Sequence, residues 1–330
     1  MTPGAATAAA SSLDPRSPAA ADIAELWWVM LALGAAVYLL VVVLLVIGLR
    51  RRGDGGRRDG GGADSAAGDA AGDDAEVATS TSNRWIGWGG VALPVLILTA
   101  VFGFTVETMR ATDRGVPQDA LVIEVVGHQW WWSARYPDHG IVTATEIHIP
   151  VGRPVAFRLT SADVIHSLWV PSLDGKLDLL PERTNTLVVR ADQAGRYQGR
   201  CAEFCGVQHA KMPIVLVADQ PDQFATWLAA QQRPAAARGP GTAAGQDVFR
   251  EAGCASCHTV RGTPAAGTDG PDLTHLASRM ILSPGVANAD DALSRWILDP
   301  HAIKEGVGMP ATSLSEADRR LLVAYLRGLD

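Results

Sequence analysis

The sequence predicts a membrane-anchored multidomain chain: a two-helix transmembrane hairpin, then a β-sandwich or barrel, then a small all-α domain. Three observations carry this. Two stretches are too apolar for water, the middle of the chain alternates short β-branched runs with turns, and the C-terminal segment follows a helical pattern. At 330 residues the chain exceeds one ordinary domain, and 28 basic against 35 acidic residues argue against nucleic acid as a partner.

The first apolar stretch, Leu26 to Leu49, runs 24 residues without a charge, and the second, Trp85 to Val106, runs 22. About 20 residues suffice to cross the hydrocarbon core. The first stretch is too long for the apolar region of a signal peptide and lacks a basic start. It ends in arginines rather than a small-residue cleavage site, so it is read as a retained membrane helix. Arg50, Arg51, Arg52, Arg57 and Arg58 crowd the intervening loop, whereas the preceding tail has only Arg16. The positive-inside rule then puts the loop in the cytoplasm and both termini outside.

The tail (1–25) and the loop (50–84) flank the first helix (26–49) and have little to bury, so both are expected to be largely disordered. The second helix is expected over 85–107. From about 118 the texture changes to LVIEVV, IVTATEIHI, PVAFRLT, NTLVVR and MPIVLVAD, punctuated by turn signals such as Pro150-Val-Gly152. Short strands so separated predict an antiparallel sandwich or barrel over 118–219. A short helix, roughly Pro221 to Gln232, leads into a Pro/Gly/Ala linker, together 220–241. Residues 242–330 are mostly helical in pattern. Ser315-Glu-Ala-Asp318 starts the last helix, and Leu321, Leu322, Tyr325 and Leu326 mark one apolar face.

All four cysteines fall in two pairs. A disulfide is the ordinary reading of such a pair in an exported domain, but both lie among other ligand types. Residues 254–258 read CASCH, the attachment motif for c-type haem: Cys254 and Cys257 can bond the porphyrin vinyls and His258 can ligate iron. A zinc site would need a second cysteine pair to complete it, and none remains once Cys201 and Cys205 are assigned to their own ligand cluster. The sixth iron ligand is expected downstream, among Met280, Met309, His275 and His301. Met309 is favoured because VGMPAT is a loop just before the last helix, whereas Met280 reads as core packing. CASCH, GPDLTHL, WILDP and GMP together resemble a class I cytochrome c domain. That resemblance implies that Pro271 lends its carbonyl to His258 and that Met309 is the axial ligand.

The other pair lies in CAEFCGVQHAKM, residues 201–212, which offers two thiolates, an imidazole and a thioether. These soft and borderline ligands suit copper. A blue-copper site needs one cysteine, so the extra thiolate points to two coppers with both sulfurs bridging. Two such ions need a second histidine, and His166, in the DVIHSLW that follows the strand PVAFRLT, is its best source. His139, His148, His275 and His301 read more simply as surface or satisfied core residues.

GHQWWW (127–132), DVIHSLWVPSL (163–173) and CAEFCGVQHAKMP (201–213) resemble cytochrome c oxidase subunit II, in the type with a fused cytochrome c (caa3-type). The resemblance implies a cupredoxin-like sandwich and a dinuclear copper (CuA) site of His166, Cys201, Cys205, His209, Met212 and the backbone carbonyl of Glu203. It implies that the Glu203 side chain serves a magnesium site shared with subunit I, with Asp178 nearby, and that Trp130 receives electrons. For Trp131 and Trp132 strand-face packing is the simpler reading. The implied function is the subunit through which electrons enter a terminal, proton-translocating oxidase in a bacterial cell membrane. Electrons come from a cytochrome bc complex or a cytochrome c, and its other partners are subunit I, further oxidase subunits and the lipid bilayer. The C-terminal domain, with 8 basic and 11 acidic residues, does not demand a strongly basic donor.

Two departures from the family pattern stand out. No carboxylate occurs between Glu76 and Glu107, where family members carry a proton-channel glutamate at the second helix. The usual Pro-Gly-Arg is Pro181-Glu-Arg183, so the turn is expected to differ. Alternatives are the copper-bearing subunit of a nitric oxide reductase, which uses the same ligands, a copper-delivery module, which needs neither His209, Met212 nor CASCH, and a copper-free quinol oxidase subunit.

Overall fold

The computed structural model describes residues 11–55, 84–112, 115–235, 241–283 and 286–330. Two compact units separate, one within Asp22–Arg114 and a larger one of Gly115–Asp330 with the tail up to Ala21.

Helix α1 spans Pro18–Gly55, with Pro18–Ala21 belonging to the larger unit and the rest to the smaller. It starts earlier than the uncharged run suggests, so residues 18–25, expected in a disordered tail, are its first two turns. The cause is local: Pro18 suits a first helical turn, and Ser17 Oγ accepts from the Ala20 N–H at 3.0 Å. Within the larger unit the tail is held before the helix, where the Arg16 N–H donates to Ser172 O at 2.7 Å. Helix α2 is Leu93–Thr112, preceded by a π-helical stretch, Ile86–Ala92, so it outlasts the expected 107. Both segments are long and apolar enough to cross a membrane, 33 and 27 residues. Most of the expected disordered loop, 56–83, lies outside the described residues, as does 236–240 of the linker.

The larger unit begins with ten strands: β1 Leu121–His128, β2 Trp131–Tyr136, β3 Ile141–Ala144, β4 Glu146–Pro150, β5 Val155–Ser161, β6 His166–Trp169, β7 Leu177–Leu179, β8 Asn185–Val189, β9 Gly195–Cys201 and β10 Pro213–Asp219. They form two five-stranded sheets, ordered β3-β2-β1-β5-β8 and β4-β10-β9-β6-β7. The expected purely antiparallel pairing is corrected: β1 runs parallel to β5, and β10 parallel to β4. Turn signals mark where strands end but not which strand each joins, and here the chain crosses between sheets. Alternation holds within strands; β1 buries every second residue, placing Leu121, Ile123 and Val125 in the core. Trp132 points into that core while Trp131 is half-buried and stacks on His128. Glu182 adopts φ 61°, so its turn is made in the left-handed region without a glycine, at about 1–2 kcal/mol.

Helix α3, Pro221–Gln232, follows β10 and lays Trp227 on His148, 4.4 Å between ring centroids. His148 is a satisfied residue: Nδ1 meets Asp219 Oδ2 at 2.6 Å and Nε2 meets Glu146 Oε1 at 3.4 Å. Burial acts to lower its pKa, but the two carboxylates outweigh it and the value is raised. A raised folded pKa stabilises fully below the ordinary histidine value and is lost as pH rises through the folded one. The unfolding temperature of the wild type relative to His148→Gln is therefore expected to fall as pH rises from about 6 to about 8. A difference independent of pH would contradict this.

The last part holds α4 Thr242–Glu251, a small hairpin of β11 Ile281–Ser283 and β12 Val286–Ala287, α5 Asp290–Leu298, α6 Pro300–Ile303 and α7 Glu316–Arg327. Phe249 of α4 and Tyr325 of α7 pack in a second core with Leu293, Ile297, Leu322 and Leu326. Ser315 caps α7, accepting from the Asp318 N–H at 3.1 Å.

Candidate metal and haem centres

The first site gathers at one end of the second sheet. β9 ends in Cys201 and β10 begins at Pro213, so residues 202–212 form the loop of a hairpin, closed by Cys201 N–H to Met212 O at 3.1 Å. β6 lies beside β9, with Leu168 opposite Cys201, and so brings its first residue, His166, to the same end. Cys201 Sγ lies 3.8 Å from Cys205 Sγ, 3.9 Å from His166 Nδ1 and 3.2 Å from Glu203 O. Cys205 Sγ lies 3.6 Å from His209 Nδ1 and 3.8 Å from Met212 Sδ. Six donors thus converge from one loop and one neighbouring strand. Their symmetry is chemical: each thiol faces one imidazole Nδ1, and one has a thioether and the other a carbonyl beside it. This matches the inventory for two soft metal ions.

The electrostatics follow from that proximity. Burial works against ionisation of Cys201, but hydrogen bonding to His166 and to the backbone at Glu203 and Ser167 brings its pKa down to about 7. Burial and the neighbouring Cys201 push Cys205 up to about 12. One thiolate forms readily and discourages the other, so a cation is what lets both ionise.

Residues outside the motifs orient the ligands. Asp163 Oδ1 holds His166 Nε2 at 2.7 Å, which directs Nδ1 toward the sulfurs. Asp163 Oδ2 accepts from the Gln129 N–H at 2.7 Å. Gly127 lies against the same ring; a Cβ there would come within 2.8 Å of His166 Cδ2. Their sequence signals were an acid three residues before the histidine and a glycine opening GHQWWW. Trp130, at the β1–β2 turn, is buried, and its Nε1 donates to Cys205 O at 2.9 Å. Glu203 turns its carboxylate outward, 3.7 Å from Lys176 Nζ. Asp178 is half-buried on β7 and its carbonyl accepts from Asn185 Nδ2 at 2.7 Å.

The second site occupies a short helical turn, Cys254–Ser256, after α4. Cys254 and Cys257 are free thiols, both half-buried. His258 Nδ1 donates to Pro271 O at 2.8 Å, so Nε2 is the nitrogen left for iron. Two free thiols and an imidazole held in one tautomer fit covalent haem. Gly270 backs that imidazole, since a Cβ would approach His258 Cε1 at 2.6 Å. Met309 lies half-buried on the loop between α6 and α7. Met280 instead uses its backbone, donating to Glu146 Oε2 at 3.0 Å. His275 is buried with Nε2 donating to Arg233 O at 3.0 Å.

Residues 140–219 match the family described as cytochrome C oxidase subunit II, periplasmic domain, and residues 242–330 match the cytochrome c family. Cytochrome c oxidase subunit 2 of Alkalihalophilus pseudofirmus is 37% identical over 249 residues, covering 74% of this chain and 72% of the relative. That of Bacillus subtilis is 33% identical over 268 residues, 75% of each. The crystal structure of the periplasmic domain of subunit II of cytochrome oxidase from Bradyrhizobium japonicum aligns with 36% of this chain and 97% of its own, at 31% identity and TM-score 0.35.

Fold and sites define a redox protein with two membrane-type helices, a cupredoxin-like copper domain and a cytochrome c domain. The chain belongs to the cytochrome c oxidase subunit 2 family, and so to the oxidoreductases. Its C-terminal fusion fits the caa3 type.

Proposed function

We propose that this chain takes electrons from a cytochrome donor at covalent haem c, passes them to a dinuclear copper centre, and delivers them to haem a in subunit I for reduction of oxygen to water. The observation that carries this reading is the convergence of two thiols, two imidazole Nδ1 atoms, a thioether and a carbonyl at one end of the sandwich.

His166, Cys201, Cys205, His209, Met212 and the Glu203 carbonyl would hold the two coppers, and Cys254, Cys257, His258 and Met309 the haem. When bound, these groups supply the one-electron carriers. The chain's own contribution is orientation. Asp163 and the Pro271 carbonyl fix which nitrogen of His166 and His258 is presented, and burial of the ligands in packed β-structure keeps water from competing for the metal. Trp130, bonded to the Cys205 carbonyl, is the candidate electron-receiving side chain. Tethering the haem domain to the sandwich replaces a bimolecular encounter with a high effective concentration. The outward-facing Glu203 carboxylate and, by resemblance alone, Asp178 on β7 are assigned to magnesium at the subunit I face. The arginines at the end of α1 and just beyond it, Arg50, Arg51, Arg52, Arg57 and Arg58, support a cytoplasmic loop with the redox domains outside the cell membrane.

Metal and haem analysis of the purified oxidase tests the reading. About two coppers attributable to this subunit per covalent haem are expected from the donor inventory. One copper or none, with haem intact, would point to a delivery or quinol-oxidase-like role.

A further inference from the structure

Lys304 is a buried lysine, 2% exposed, that none of the assigned sites uses. It follows α6 in the haem domain, yet its Nζ donates to the backbone carbonyl of Trp130 in the copper domain at 2.6 Å, across 174 residues of sequence. The next three residues continue the contact. Glu305 O accepts from Gln208 Nε2 at 2.8 Å, one residue before the candidate ligand His209. Gly306, at φ 79°, brings bare backbone against the Trp130 ring; a Cβ there would stand 3.3 Å from Cη2. Val307 packs on the copper-domain core. Two residues further on lies Met309.

We propose that Lys304–Val307 is a clasp that docks the haem domain on Trp130, with Lys304 as its positioning residue. The consequence for electron transfer rests on the functional reading above; the docking itself does not.

An ammonium or amine taken out of water is unfavourable unless bonded, so a lysine buried at this junction is tied to the carbonyl it meets. Burial lowers its pKa to about 7, opposed by Cys205 and aided by Lys211, and the neutral amine donates to the same carbonyl, so the contact holds in either protonation state. Glycine at 306 permits both the left-handed backbone and the close approach to the indole. The clasp also covers the flank of Trp130, which is 7% exposed. A free donor is thereby directed to the tethered haem rather than to the tryptophan, and the loop that carries Met309 is held at the same place.

The test compares the intact purified oxidase with Lys304→Met, which keeps the buried stem and deletes the donor, and with Gln208→Leu, which deletes the second bond. Hydrogen–deuterium exchange is followed for peptides covering 127–131 and 304–309. Electron equilibration between haem and copper is followed after photoreduction of the haem. Exchange in these peptides is expected to quicken by about tenfold in Lys304→Met. Equilibration is expected to slow by about tenfold or more, because small misplacements at a docking surface have large rate effects. Haem and copper contents stay at wild-type levels. Unchanged exchange in both variants would overturn the clasp. Quickened exchange with an unchanged rate would overturn Lys304 as a positioning residue. A wild-type enzyme lacking the two coppers would instead refute the functional reading, with the exchange arm still deciding the docking.

Discussion

Cys205→Ser is expected to abolish the proposed two-copper centre while leaving haem attachment intact. Cys205 Sγ is the hub of the site, 3.8 Å from Cys201 Sγ, 3.6 Å from His209 Nδ1 and 3.8 Å from Met212 Sδ. A serine hydroxyl is shorter, harder and far less acidic than a thiol, and soft metal ions discriminate against it. The position is buried, so no solvent-borne ligand substitutes. Copper affinity is expected to fall by more than about 100-fold, the upper end of what losing an outer-sphere partner costs, since here a proposed bridging ligand goes. Oxidase turnover with a cytochrome donor falls with it. Metal analysis and the copper electron-spin signal check this, and a variant retaining both coppers would refute the bridging assignment. The backbone carbonyl that anchors Trp130 Nε1 is untouched by the substitution, so the fold is expected to survive.

Gly270→Val is expected to have the second largest effect, confined to the other domain. A Cβ at this position would lie 2.6 Å from His258 Cε1, 2.8 Å from Nδ1 and 3.1 Å from Nε2. The backbone has no room to retreat, because the Gly270 N–H already donates to Cys257 O at 2.8 Å. The imidazole must therefore swing, breaking its bond to Pro271 O and misdirecting the nitrogen meant for iron. Covalent haem content is expected to fall by about tenfold or more, in line with the loss of a ligand-orienting bond. Copper content is expected to stay at the wild-type level. The ratio of covalent haem to copper in the purified enzyme reads this directly; normal haem content would show that the domain relieves the clash elsewhere.

The ligand-bearing segments were legible because each is short and local. CASCH spans five residues, and four of the six candidate copper donors sit on one hairpin loop after Cys201. His166 came from farther away, yet a strand followed by a loop marked it. The apolar runs likewise declare two helices, although the Ser17-Pro18 cap, rather than the first residue of the uncharged stretch, sets the start of α1.

Chain chemistry by itself determined which atoms are available: thiols, imidazoles, thioethers and apolar runs long enough for a membrane. Those properties belong to residues and their near neighbours, and spacing reveals them. Tertiary structure alone decided the parallel pairing of β1 with β5 and of β10 with β4, and the left-handed turn at Glu182. It alone decided that Asp163 and Gly127 orient His166, that Gly270 backs His258, and that Lys304 reaches Trp130. These contacts join residues through packing rather than through sequence distance, and a glycine or lysine shows its purpose only when the surface it must fit is present.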